Sequence, residues 1–433
     1  MKDVFEFRVD WLERLHGSPA ERETFGELEI RWGGVALTEL LDLSAATVRS
    51  TTRVSMLHLG IWLMANWWRL RWEPLPPKID PDWRMAHEIG GAGGGFVWPA
   101  LQFASDGETI GLSLHDTMSD RPPVRYLRNT EGTISATTFE RAVDDLMSLL
   151  LARLSSRRVD AADLAEGWRE VLAERRDPMA GARRRREALL GFDPDAIDAD
   201  DLSAIVSAGT WMGEAALEET MAAARAPAIR NTIEYLRDKS LEPGSNLDLA
   251  ALEGVCRVWR DGHHRFTRPW ERGAALAGLA RREVGLSSDE PVSSERISEL
   301  VGYDVMADQP TSGPLGAGFR SPDAPNRVKF HGIRRHPNSR RFEAARLLAE
   351  ALDGPPADAV LPITDASTAR QKVQRSFAQE FLCPTEGLVR LLPLPNPSDS
   401  DIEGAADHYG VSAFTVRSAL VNRGLVDRRY LPA

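Results

Sequence analysis

Arg341-Phe342-Glu343-Ala344-Ala345-Arg346-Leu347-Leu348-Ala349-Glu350 is the stretch on which the reading of this chain turns. It is taken as one helix. Arg346 and Glu350 stand four residues apart on it and so share a face. Downstream, Gln371-Lys-Val-Gln-Arg-Ser-Phe-Ala-Gln-Glu-Phe-Leu-Cys-Pro384 reads as a second helix that ends at its proline. Beyond it, Ile402 to Leu425 reads as two short helices, with Gly410 at the turn and Ser412 capping the second. Upstream, Ser312 to Gly318 reads as a loop that leads to a hairpin strand over Arg327 to Phe330. Helices are expected over Asn246 to Trp259 and over Pro269 to Gly285. Pro269 sits where a first helical turn tolerates proline, and Gly285 sits at the stop.

Farther out, tryptophan sets the N-terminal part apart: eight of the twelve precede residue 100. Phe5 to Trp11, Glu27 to Trp32 and Thr47 to Val54 read as strands, and Met56 to Trp68 has helical length. The glycines at 90–95 precede Phe96-Val97-Trp98-Pro99 and suit a wide turn or a close backbone approach. A helix from Thr137 to Leu154, capped by Thr137 or Thr138, closes the region with a leucine-rich face. The expected class is α+β. It comprises a Trp-rich α+β domain over 1–155, a helical region over 156–265 and a mostly helical domain over 266–433. In the middle region Arg183-Arg184-Arg185-Arg186 reads as a solvated helix face balanced by the aspartates that follow, Asp193, Asp195, Asp198, Asp200 and Asp201.

Composition narrows the function classes. The net charge of −11 argues against a nucleic-acid binder that uses its whole surface. Cys256 and Cys383 lie far apart and form no CxxC, so a reducing compartment is expected. The mixed N-terminal Met1-Lys-Asp-Val-Phe-Glu is unlike a signal peptide, and the apolar run Met56 to Trp68 is too short to span a bilayer. No membrane association and a cytoplasmic location are the expectations.

Several ordered pieces together resemble one family. The Phe377-Ala378 to Leu382-Cys383-Pro384 ending, the closing pair Ile402 to Leu425 and the opening Pro269-Trp270-Glu271-Arg272-Gly273 are similar to parts of ImmA/IrrE-type metallopeptidases. The resemblance covers about residues 266–430 and implies a zincin-like domain there. Family members carry an Arg-Phe-x-x-Ala-His-Glu-x-x-His helix, whose two histidines grip zinc while the glutamate activates the bound water. Here Arg341, Phe342 and Ala345 fit that pattern. The histidine positions hold Arg346 and Glu350, the general-base position holds Leu347, and the downstream acidic ligand falls at about Gln371. Arginine has no lone pair to give a metal and leucine accepts no proton, so the resemblance implies a pseudo-peptidase without metal or cofactor. Arg346 and Glu350 are positioned to pair across the vacated pocket.

Other chemistry is sparse. His87-Glu88 begins like a peptidase motif but lacks its second histidine. His263 and His264 are adjacent and share no helix face, while His331 and His336 lack a third partner. Cys383 reads as a structural thiol. The expected function is therefore a non-catalytic, protein-binding regulator or sensor in bacterial stress response, mobile-element control or anti-phage defence. Arg346, Leu347, Glu350 and Gln371 are its pocket candidates, and Trp67, Trp68, Trp72 and Trp98 form a candidate recognition surface. The alternatives are a DNA-binding regulator, using the closing helix pair and its neighbours Arg417, Arg423, Arg428 and Arg429, and a peptidase with a rebuilt metal site. A nucleic-acid partner ranks behind a protein partner.

Overall fold

The computed structural model describes residues 4–115, 123–262, 266, 268–304 and 310–428. His263, His264 and Arg429 lie outside them. The chain is α+β and divides into two compact units, Met1–Ile197 and Asp198–Ala433.

In the first unit the strands are β1 (Phe5–Trp11), β2 (Phe25–Trp32), β3 (Val35–Ala36), β4 (Leu40–Asp42), β5 (Thr47–Arg49), β6 (Thr52–Ser55), β7 (Ala100–Ser105), β8 (Thr109–His115), β9 (Val124–Tyr126) and β10 (Thr130–Ser135). Its helices are α1 (Pro19–Glu23), α2 (Met56–Ala65), α3 (Trp67–Trp72), α4 (Pro81–His87), α5 (Ala136–Ser156), α6 (Ala162–Arg176) and α7 (Pro178–Leu189). β1 and β2 pair antiparallel from Phe5 opposite Trp32 to Trp11 opposite Gly26. Burial alternates along β2, with Leu28 and Ile30 inward and Glu27 and Glu29 outward, as a sheet with one covered face requires. Over the core lies α5, which buries Phe139, Val143, Leu146, Met147 and Leu150 at helical spacing. Its cap is Ser135, two or three residues earlier than expected, whose Oγ accepts from the Thr138 amide at 3.2 Å.

Other expectations change here. The single strand expected over Thr47 to Val54 is two, β5 and β6, which pair in different sheets. The run Met56 to Trp68 is two helices, because the chain breaks at Asn66. The boundary at 155 also moves. Leu164, Trp168 and Val171 of α6 and Ala188 of α7 belong to the N-terminal core, so an apolar face that looked like a connecting region closes the first unit.

In the second unit the helices are α8 (Ala199–Met212), α9 (Glu214–Ala224), α10 (Ile229–Leu241), α11 (Glu253–Gly262), α12 (Pro269–Glu283), α13 (Ser294–Val301), α14 (Pro337–Asp353), α15 (Ala369–Leu382), α16 (Thr385–Leu391), α17 (Asp399–Tyr409) and α18 (Ala413–Asn422). β11 (Ser245–Asp248), β12 (Gly316–Ser321), β13 (Ala324–His331) and β14 (Val360–Ile363) form one antiparallel sheet in the order β11-β13-β12-β14. The expected helix from Asn246 therefore starts as a strand, and α11 begins only at Glu253. Likewise Gly316 to Gly318, read as loop, belong to β12. Glycine serves there because α14 crosses close above: a Cβ on Gly318 would sit 2.6 Å from Leu347 Cδ1. α14 packs on β12 and β14 of this sheet, and α15 packs against the helix as well, so α14 is largely buried from Arg341 to Leu352.

Candidate functional site

The deciding helix forms as expected, as α14, with His336 accepting from the Asn338 amide at its N-terminus. Its middle residues do not form the arrangement the sequence suggested. Leu347 is fully buried against the sheet and is core. Arg346 and Glu350 share a face, yet each turns to its own partners. The Arg346 guanidinium donates through Nη2 to the Thr364 carbonyl and to Gln371 Oε1, with Asp365 3.8 Å from Nη1. Glu350 accepts from Arg370 and from Gln374 Nε2, the latter at 2.7 Å. The expected pair is thus replaced by two separate networks. Two opposite charges this deeply buried each need several hydrogen bonds, more than one i, i+4 contact supplies.

The Glu350 network extends inward. Arg370 also pairs with Asp358 at 2.9 Å, and Glu219 of α9 accepts from Thr364 Oγ1 at 2.8 Å and Thr368 Oγ1 at 2.7 Å. Burial opposes the charge on Arg370, but Glu350, Asp358 and Glu219 together hold its pKa above the ordinary arginine value. Burial pushes the Glu219 carboxyl upward, against the pull of Arg370. Arg346 differs. Burial, reinforced by the like charge of Arg375, brings its pKa down to about 10, so it keeps its proton at neutral pH. Of Arg346, Leu347, Glu350 and Gln371, only Arg346 reaches an open surface.

That surface is a groove of about 1020 Å³ walled by α14, α15 and α18. Arg346 lies at its floor with only 4% exposure. Six cations line it, Arg268, Arg334, Arg346, Lys372, Arg375 and Arg423, against three acids, Glu271, Glu343 and Asp365. Asp365 is taken by Arg334, both oxygens lying 2.7 Å from Nη2. Glu343 is taken by the amides of Ile333 and Arg334. Phe342, Val411 and Phe414 give the groove apolar walls, and Phe414 is 59% exposed. The closing helix pair forms as expected, with Gly410 left-handed at φ 60° and Ser412 accepting from the Thr415 amide. Arg417 is engaged by Asp399 at 2.9 Å and Arg423 by Glu380 at 3.5 Å.

Sequence reasoning missed Arg370, Glu219, Arg375 and Asp365. Arg370 meets Glu350 from another helix, and Glu219 comes from a segment read as a connection, so no local spacing marks either. Arg375 does follow Gln371 by one turn, which places both on one face of α15.

The N-terminal candidates fall together, but as core. Trp67, Trp68 and Trp98 are at most 6% exposed, and Trp67 stacks on Phe139 and meets the Trp168 edge at 5.5 Å. Trp72 is half-buried between Arg71 and Arg185, at 3.9 and 4.4 Å. They form no open recognition surface, because three of the four are taken up in the core and guanidinium groups lie over Trp72. The basic run finds acids: Arg183 and Arg184 reach Asp195 at 2.7 and 2.8 Å, and Glu187 binds both. His87 is fully buried. It stacks on Trp83 and lies 3.0 Å from Glu73 and 2.8 Å from the Phe103 carbonyl. His331 is buried in β13, apart from the capping His336. Burial, with Glu380 adding to it, pushes the Cys383 thiol up to about 12. Among the described residues no group of three or more His, Cys, Asp or Glu is placed to hold a metal ion, and no helix is long and apolar enough to cross a membrane. Compared with protein-family models, curated proteins and solved structures, the chain finds no match.

Proposed function

We propose that this chain is a non-catalytic, protein-binding relative of ImmA/IrrE-type metallopeptidases. In this reading it acts in the cytoplasm as a regulator or sensor in bacterial stress response, mobile-element control or anti-phage defence. The observation that carries the reading is Arg346. At the floor of an open groove, where the resemblance calls for the first zinc-binding histidine, stands a fixed cation hydrogen-bonded by Thr364 and Gln371. A guanidinium repels a divalent metal and cannot ligate it. Leu347 offers no base at the next position, and Glu350 is committed to Arg370 and Gln374. What remains is a groove able to hold a polypeptide and unable to cleave it.

Two measurements test this. Elemental analysis of the purified chain is expected to find zinc well below stoichiometry; stoichiometric zinc that disappears in Glu350→Ala would overturn the reading. Affinity capture from the native host is expected to recover a defined protein with the wild-type chain and to lose it with Phe414→Asp, a change on the exposed groove wall. Capture of DNA instead, weakened by charge reversal at Arg417 and Arg423, would favour the DNA-binding alternative.

A further inference from the structure

The groove floor carries more positive charge than its own acids answer. Arg334, Arg346 and Arg375 all stand near Asp365, and Arg334 alone holds both of its oxygens. Arg346 Nη1 remains 3.8 Å away, beyond hydrogen-bonding distance, and its buried Nε has no acceptor. Arg375 spends Nη2 on the Ala366 carbonyl at 2.8 Å and has no ion-pair partner among the described residues. A buried guanidinium with unused N–H groups is costly unless something accepts from them, and here the unused groups belong to a residue that lines an open groove.

We infer that the groove takes a peptide segment of the partner protein in which an Asp or Glu is flanked by apolar residues. The carboxylate lodges against Arg346 and Arg375, and the flanking side chains lie on Phe342, Val411 and Phe414. This inference rests on the reading of the chain as a protein binder and gives that partner its chemistry. Two features favour a carboxylate on a side chain over a nucleic-acid backbone. The central cation is sunk to 4% exposure, where a single protruding group reaches it and a continuous phosphate ladder does not. The walls beside it are apolar, which suits flanking aliphatic or aromatic side chains. A charge-assisted hydrogen bond of this kind contributes roughly tenfold or more to affinity.

The test is selection of a random displayed-peptide library on the full-length chain, followed by fluorescence polarisation of the best clone. Enriched sequences are expected to share an acidic residue between apolar ones. The Asp→Asn or Glu→Gln counterpart of the best clone should bind at least tenfold more weakly, and an oligonucleotide should not displace it. Arg346→Gln should abolish the acid preference. Because that buried change can unfold the site, Arg375→Gln, at a half-buried position, is the second arm and should reduce the preference while leaving the thermal transition in place. Enrichment of peptides without acids, equal binding of the amide counterpart, displacement by the oligonucleotide, or no enrichment at all would each overturn the inference. Peptides without acids whose binding is lost in Phe414→Asp would overturn only the inference and leave the protein-binding reading standing. Stoichiometric zinc would overturn that reading independently.

Discussion

Glu73 shows what a single buried charge does for the first unit. It is fully buried, accepts from Arg69 Nε at 2.7 Å and lies 3.0 Å from His87 Nε2. Burial alone would raise its pKa, yet the His87 and Arg69 partners hold it down to about 2. A carboxylate held below its ordinary value stabilises the fold above that value, and the contribution fades as the pH falls from 4.5 toward about 2. Its size is on the order of 3 kcal/mol. Glu73→Gln is therefore expected to lower the unfolding midpoint at neutral pH, with the gap from wild type closing as the pH approaches 2. Urea unfolding followed by tryptophan fluorescence across that range checks this. A gap that stays constant with pH would show that the charge is not what the site uses.

At the scale of elements, α14 and its neighbours explain both what the sequence revealed and what it concealed. Features set by nearest neighbours were legible: β1 ends where it was expected to, Pro269 opens α12, and Gly410 and Ser412 organise the closing pair. The helix carrying Arg341 to Glu350 was equally plain. Features set by distant partners were not. Asn246 to Asp248 carry no strand signal of their own and become β11 because β13 offers them a partner, Leu247 facing Val328. The separation of Arg346 from Glu350 depends on Arg370 and Thr364, which nothing in the α14 sequence announces. The same packing fixes what position 347 can hold. Leu347 has no exposed surface and lies against Gly318, so Leu347→Glu would bury a charge without a partner and cost about 3–5 kcal/mol. Leu347→Met, which conserves volume and polarity, should cost less than about 1.5 kcal/mol. Differential scanning calorimetry of the two variants distinguishes these values. A Leu347→Glu protein as stable as wild type would mean that the position is not core.

On the scale of the whole molecule, the two units have separate hydrophobic cores, one built around Trp67, Phe139 and Leu146, the other around Leu347, Phe377 and Leu361. Fragments divided after Ile197 are each expected to keep helical circular dichroism and a cooperative thermal transition. A fragment ending at residue 155 lacks Leu164, Trp168 and Val171, which leaves Trp67 and its neighbours uncovered. It should lose that transition or aggregate. Equal stability of the fragments ending at 155 and 197 would restore the earlier boundary. A bound zinc ion can be chelated, starved away or exchanged for another metal, and a groove that depends on one inherits those vulnerabilities. Arg346 is attached by its own backbone and stays protonated at neutral pH. The positive charge at the groove floor is therefore made once, at translation, and persists through every change in metal supply for the lifetime of the protein.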